Sequence, residues 1–237
     1  MLKNKYIKLA SILLMLCLIT TCGVSSTFAK YTTGGTATDS ARVAKWGVTV
    51  ELTGDDAFKN TYGTTVQSSD VNKNVVAPGT NGQLAEITVS GTPEVAVNMT
   101  VDVDLELTGW TIPDGGGSLE YCPLVFTVGT TKIYMTSTSN TTTEELEESL
   151  ENAVIAAILG NSTSSETKDS GRTMSVAKPA GESVAVSTVT VEWLWDFDAS
   201  TKQSGALNTD ARDTELATLG TMPTISFELT VSVTQID

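Results

Sequence analysis

Val95, Val97, Met99, Val101, Val103, Leu105 and Leu107 alternate with Ala96, Asn98, Thr100, Asp102, Asp104 and Glu106. A two-residue period of this kind places one face of a β-strand in a core and the other in water. The same alternation closes the chain, where Ile225, Phe227, Leu229, Val231 and Val233 are interleaved with Ser226, Glu228, Thr230, Ser232 and Thr234. A third strand is predicted from about 183 to 198, with Val189, Val191, Trp193, Trp195 and Phe197 on one side. Shorter strands are expected over 46–52, 84–90, 119–128 and 132–136. Val and Thr are abundant in these strands and suit half-buried pleated surfaces. Pro78-Gly79, Asn81-Gly82 and the run Pro113-Asp-Gly-Gly-Gly117 supply turns, and Gly129-Thr130-Thr131 predicts a hairpin.

One segment breaks the alternation. Thr142 with Glu145 three residues on forms a capping box, and Leu146, Leu150, Ala153, Val154, Ala157 and Ile158 then recur at helical spacing up to Gly160. Glu144, Glu145, Glu147 and Glu148 crowd the end where the helix dipole favours acids. Residues 161–171 read as a polar loop. The expected fold is therefore mainly β, a jelly-roll-like β-sandwich with one inserted helix at about 142–159. The expected organisation is a leader over 1–29, an extended segment over 30–45 and one sandwich domain over 46–237.

Composition narrows the chemistry. The 237 residues include no histidine, 14 Lys+Arg and 28 Asp+Glu, for a formal net charge of -14. Without an imidazole there is no Ser-His-Asp or Cys-His catalysis and no histidine-held zinc or copper. The acidic balance argues against nucleic acid, which requires a basic footprint. Apolar residues at 40% against 18% charged exclude an acidic disordered chain. The expectation is a protein that is not an enzyme.

The leader has three parts. Lys3, Lys5 and Lys8 form a basic start, 9–19 is uncharged and apolar, and Thr27-Phe28-Ala29 places small residues before a cut between Ala29 and Lys30. That is the pattern of a secretory signal peptide, and the apolar run is short for a spanning helix. Cleavage would remove Cys17 and Cys22 and leave Cys122, which sits in an apolar stretch and is expected to be buried. The mature protein is expected to be secreted, extracellular or at the cell surface, meeting the membrane only through an uncleaved leader.

Candidate sites are acidic. Asp102, Asp104 and Glu106 share a strand face, which reads as a solvated face rather than a cation ladder. Asp196, Asp198, Asp210 and Asp213 form a second group that could hold calcium, although their spacing is not that of the twelve-residue calcium loop. No other cofactor is expected. Trp193 and Trp195 read as core rather than as a sugar platform, with aromatics at 6%.

Several segments together resemble the TasA/camelysin family of exported bacterial proteins, fibre subunits of Gram-positive biofilm matrices. The junction Thr27-Phe-Ala-Lys-Tyr-Thr32 resembles the T-x-A-x-[FY] site cut by the SipW-type signal peptidase of that family. Residues 39–48, the turn Val76-Ala-Pro-Gly79, the pair formed by Glu192-Trp-Leu-Trp-Asp-Phe197 and Asp210-Ala-Arg-Asp-Thr-Glu-Leu216, and the closing residues 230–237 are similar to family segments. The resemblance implies a jelly-roll subunit that self-associates into filaments, its freed N-terminus inserting as a donor strand into the next copy. The donor here would be 30–44, with Tyr31, Val43 and Ala44 as its apolar anchors. The metalloprotease label given to the camelysin branch does not carry over to a chain without histidine. The alternative expectation is a monomeric secreted β-sandwich that binds a ligand or calcium through its acidic loops.

Overall fold

The computed structural model describes residues 11, 12, 14, 15, 43–54, 58, 75–160, 166, 167, 171–196, 206, 207 and 209–236. By its internal contacts the chain divides into Met1–Val43 and Ala44–Asp237. In the first unit, Ser11, Ile12, Leu14 and Met15 are helical. Among the described residues, no helix is long and apolar enough to cross a membrane. Ala29, Lys30 and Tyr31, on which the expected cut and donor strand rest, lie outside the described residues.

The second unit is mainly β, a jelly-roll-like sandwich with an inserted helix. One sheet contains β1 (Val48–Thr53), β2 (Asn81–Gly91), β10 (Val186–Trp195), β6 (Leu124–Val128) and β7 (Thr131–Ile133), in that order. The other contains β11 (Thr224–Gln235), β3 (Val97–Thr108), β9 (Arg172–Lys178) and β8 (Glu166–Thr167). A small hairpin, β4 (Thr111–Asp114) with β5 (Gly117–Glu120), stands apart. All pairings are antiparallel.

The core follows from the alternation. Val97, Met99, Val101, Val103, Leu105 and Leu107 on β3 are all buried. They face Ile87 and Val89 of β2, Val189, Val191 and Trp193 of β10, and Leu124 and Phe126 of β6 within one cluster. Truncating any one of these aliphatic side chains to Ala would cost about 2–5 kcal/mol. Both tryptophans are core, as expected: Trp193 packs on Phe58 at 5.6 Å and Trp195 on Trp110 at 6.2 Å between ring centroids.

The inserted helix α1 spans Thr143–Leu159. Thr142 Oγ1 accepts the Glu145 N–H at 3.1 Å, as the capping box predicts. The returning arm is displaced by one residue, for Glu145 accepts from the N–H and hydroxyl of Thr141 at 2.6 and 2.8 Å. Those bonds hold the Glu145 carboxyl below the usual carboxylate range. Leu146, Leu150, Val154, Ile155 and Ile158 put the apolar face of α1 into the sandwich core.

The structure adds elements that patterning alone does not give. A second helix, α2 (Asp210–Ala217), begins at Thr209, whose side chain accepts the Arg212 N–H at 3.4 Å. Strand β9 is central to its sheet, yet its inward row is Arg172, Met174, Val176 and Lys178, with charge at both ends. The expected strand over 119–128 is broken at 121–123, where Tyr121 and Cys122 turn into the core ahead of Pro123. The Pro78-Gly79 turn does deliver β2, with the Gly79 N–H donating to the Trp195 carbonyl at 2.7 Å.

Candidate functional site

Two edges of the sandwich are treated in opposite ways. Strand β9 pairs with β3 only as far as Val103↔Arg172. Beyond that point, the N–H groups of Leu105 and Leu107 would lack a strand partner. Helix α1 supplies one with carboxylates: Leu105 donates to Glu151 Oε1 at 3.1 Å and Leu107 to Glu147 Oε1 at 2.6 Å. Two glutamates one helical turn apart thus match two N–H groups two residues apart on a strand. Arg172 fixes the helix from the other side, pairing with Glu148 and lying 3.8 Å from Glu151. Burial pushes the Glu151 carboxyl up to about 7, and Asp104 and Glu147 add to the rise while the Leu105 N–H and Arg172 oppose it. Burial likewise raises Glu147.

The edge formed by β1 and β11 is different. These are the end strands of their sheets, and they approach each other on one flank. Strand β11 pairs with β3 over its full length without a register shift, from Thr224↔Thr108 to Gln235↔Val97. Ile225, Phe227, Leu229, Val231 and Val233 share the inward face with the buried row of β3 yet are only half-buried. Strand β11 ends its sheet, and it has twelve residues where β1 has six. Val48 and Val50 are half-buried as well, and Leu52 is 41% exposed. Just ahead of β1, Val43 is 91% exposed and Trp46 41%. The chain is pinned there by a pair of bonds, the Lys45 N–H donating to Glu94 Oε2 at 2.8 Å and the Glu94 N–H to the Lys45 carbonyl at 3.1 Å. The result is a half-buried apolar row on each of two end strands.

Of the four acidic residues expected to hold calcium, Asp196, Asp210 and Asp213 lie among the described residues. Asp213 is buried, and its carboxylate accepts from the Tyr121 hydroxyl at 2.5 Å and from Trp195 Nε1 at 3.0 Å. Burial raises its pKa, and the same burial with the Asp213 bond raises Tyr121. Asp213 therefore ties α2 to the core through two neutral donors. Asp210 is exposed in the first turn of α2, Asp196 is buried at the end of β10, and Asp198 lies outside the described residues. Among the described residues, no three acidic, cysteine or histidine groups are placed to hold a metal ion. Asp102, Asp104 and Glu106 line the outer face of β3, opposite Thr230, Glu228 and Ser226 of β11. Cys122 is buried and free, with burial pushing its thiol up to about 12, so it stays a protonated packing group.

The anchoring carboxylates Glu147, Glu151 and Asp213 serve structure, a use that their spacing alone does not reveal. The sequence does carry one signal for the half-buried row of β11. An apolar strand with no charge on its inward row, placed at a sheet end, must find cover. Comparison with known protein families, with curated proteins and with solved structures finds no match for this chain.

Proposed function

We propose that this chain is an exported structural protein, an extracellular biofilm-matrix fibre subunit that assembles by inserting its mature N-terminus into the next copy. The observation that carries the reading is the pair of half-buried inward rows on the end strands β1 and β11. The residues from Lys30 to Ala44, fifteen of the 237, precede β1 and are mostly small and polar, a composition that suits a donor strand. Insertion beside β1 would extend that sheet, give the β1 edge carbonyls and amides their partners and lay apolar side chains over the half-buried row of β11. Backbone bonds supply most of the affinity, so little side-chain complementarity is needed. Processing falls to a SipW-type signal peptidase cutting between Ala29 and Lys30. The reading assigns no catalytic step to any residue.

The full chain's net charge of -14 becomes -17 once Lys3, Lys5 and Lys8 leave with the leader, which opposes close approach of copies, and salt or cations screen it. Assembly is expected to be promoted by added salt, by calcium and by acid. The test is electron microscopy of the protein beginning at Lys30 beside a version lacking 30–44. Filaments formed by the first and not by the second support donor exchange. Equal filaments from both would end it, and a strict monomer in every condition would favour the binding-module alternative.

A further inference from the structure

The geometry points to a second contact between copies, independent of donor exchange: β11 of one copy pairs antiparallel with β11 of another about a two-fold axis centred on Leu229. Among the described residues, no strand pairs with the outer edge of β11. Which backbone groups face that edge follows from alternation. Leu105 and Leu107 of β3 direct their N–H groups away from β11, toward α1. The even-numbered residues of β3 therefore face β11, and the even-numbered residues opposite them face back. The Ile236 N–H, donating to the Ala96 carbonyl, continues the same pattern. The odd-numbered residues from Ile225 to Gln235 thus present their N–H and C=O groups to the open edge.

The edge lacks the usual defences. From Thr224 to Gln235 there is no Lys, no Pro and no bulge, and the strand carries one charge, Glu228. The occupant must therefore avoid Glu228 and match an apolar inward row, and a second copy does both. In the register that sets Leu229 against its own counterpart, Phe227 meets Val231 and Ile225 meets Val233. Aromatic–β-branched and aliphatic pairs of this kind favour a sheet. Glu228 then lies opposite Thr230 rather than opposite another carboxylate. A two-residue slip that centres the axis on Glu228 would set like charges face to face. All the central odd pairs are hydrogen-bonded pairs in this register, so the four-stranded sheet continues across the axis into its copy. Such a contact would join subunits side by side, where donor exchange joins them end to end.

The test uses the full chain with Cys17 and Cys22 changed to serine, leaving Cys122, which is buried. Directly opposed residues of a hydrogen-bonded pair have Cα atoms about 5.5 Å apart, within disulfide reach. Leu229→Cys is expected to form disulfide-linked dimers on mild oxidation. Phe227→Cys and Val231→Cys are expected to crosslink when mixed and not alone. Thr230→Lys places a cation against Glu228 of the other copy and against Asp102 of its own sheet, so it keeps the fold and tightens dimerisation in sedimentation by about tenfold. Thr230→Glu loosens it by a similar factor. Absence of the Leu229→Cys dimer, or self-crosslinking by Phe227→Cys or Val231→Cys in its place, overturns the proposal. So does crosslinking of Leu229→Cys to Tyr31→Cys in preference to itself, which would show the donor segment on this edge.

Discussion

Replacing Asp213 removes the acceptor of two buried donors at once. The Tyr121 hydroxyl and Trp195 Nε1 both end on its carboxylate, at 2.5 and 3.0 Å, in a region from which water is excluded. A buried donor deprived of its acceptor costs about 1–3 kcal/mol, so Asp213→Ala leaves two such costs. Against them stands the burial that raises the Asp213 pKa, because the variant no longer carries a desolvated carboxylate. The net expectation is a loss of about 2–4 kcal/mol, or about 4–16 °C in melting temperature for a domain of this size. Asp213→Asn keeps one carbonyl oxygen, serves one donor and loses about 1–2 kcal/mol. The sign of the pH dependence is fixed by the raised pKa. A carboxyl whose folded pKa lies above its unfolded value contributes stability that is fully present below the unfolded pKa and is lost as pH rises through the folded one. The loss in Asp213→Ala is therefore largest in acid and shrinks toward neutrality. Urea unfolding followed by tryptophan fluorescence reads the effect directly, since Trp195 is itself one of the donors. A change within about 0.5 kcal/mol, or a greater loss in Asn than in Ala, would refute the anchoring role.

Two further perturbations probe the two edges. Glu151 titrates at about 7 against an ordinary 4.5, so its contribution to stability is present below 4.5 and is lost as pH rises through 7. Glu151→Gln keeps a carbonyl for the Leu105 N–H and is expected to flatten the fall in urea midpoint between pH 5 and 8; parallel profiles for parent and variant would contradict it. Gly91 has φ +134°, and a Cβ there would lie 2.1 Å from the Gly47 carbonyl oxygen and 2.9 Å from Val48 Cα, so Gly91→Ala is expected to cost about 2–4 kcal/mol and to loosen β1 from β2. Faster proteolysis within 44–53, measured by mass spectrometry, checks it, and an unchanged cleavage rate would show that β1 is held by other contacts.

How much of this was legible in the sequence depends on what each residue answers to. Strands β3 and β11 and helix α1 are readable because their burial is one-sided and long, and a period of two or of 3.6 survives in the residues. Strand β9 is hidden because its inward row begins with Arg172 and ends with Lys178. The first of these is tolerated only because α1 brings Glu148 and Glu151 to meet it. That pairing joins residues more than twenty positions apart, and no local pattern encodes it. Helix α2 is short, its mean composition is polar, and its docking rests on Asp213, which on sequence reads as one more acid in a loop. The calcium expectation rests on spacing alone, which shows that carboxylates recur and not whether they face one another. The half-burial of β11 is the opposite case, for the apolar row is plain in sequence while the shortness of β1 opposite it is not.

The unequal treatment of the edges bears on function more than any single residue does. At β3 the sandwich closes an unpaired stretch with two glutamates, accepting a raised carboxyl pKa and a buried charge to do so. Unpaired strand edges recruit other strands, and proteins that must remain single usually blunt them. Among the described residues, β11, twice the length of β1, carries no such device, and its inward row is half-buried. Selection against uncontrolled pairing would act on β11 first, since it offers the longer and less charged template. Among the described residues the sandwich seals its shorter unpaired stretch and not its longer edge, which is the pattern expected of a sheet that accepts another strand. On the proposed pairing that strand would be β11 of another copy. The acidity of the chain, -14 in full and -17 without the three leader lysines, would then make ionic conditions the control on when copies meet.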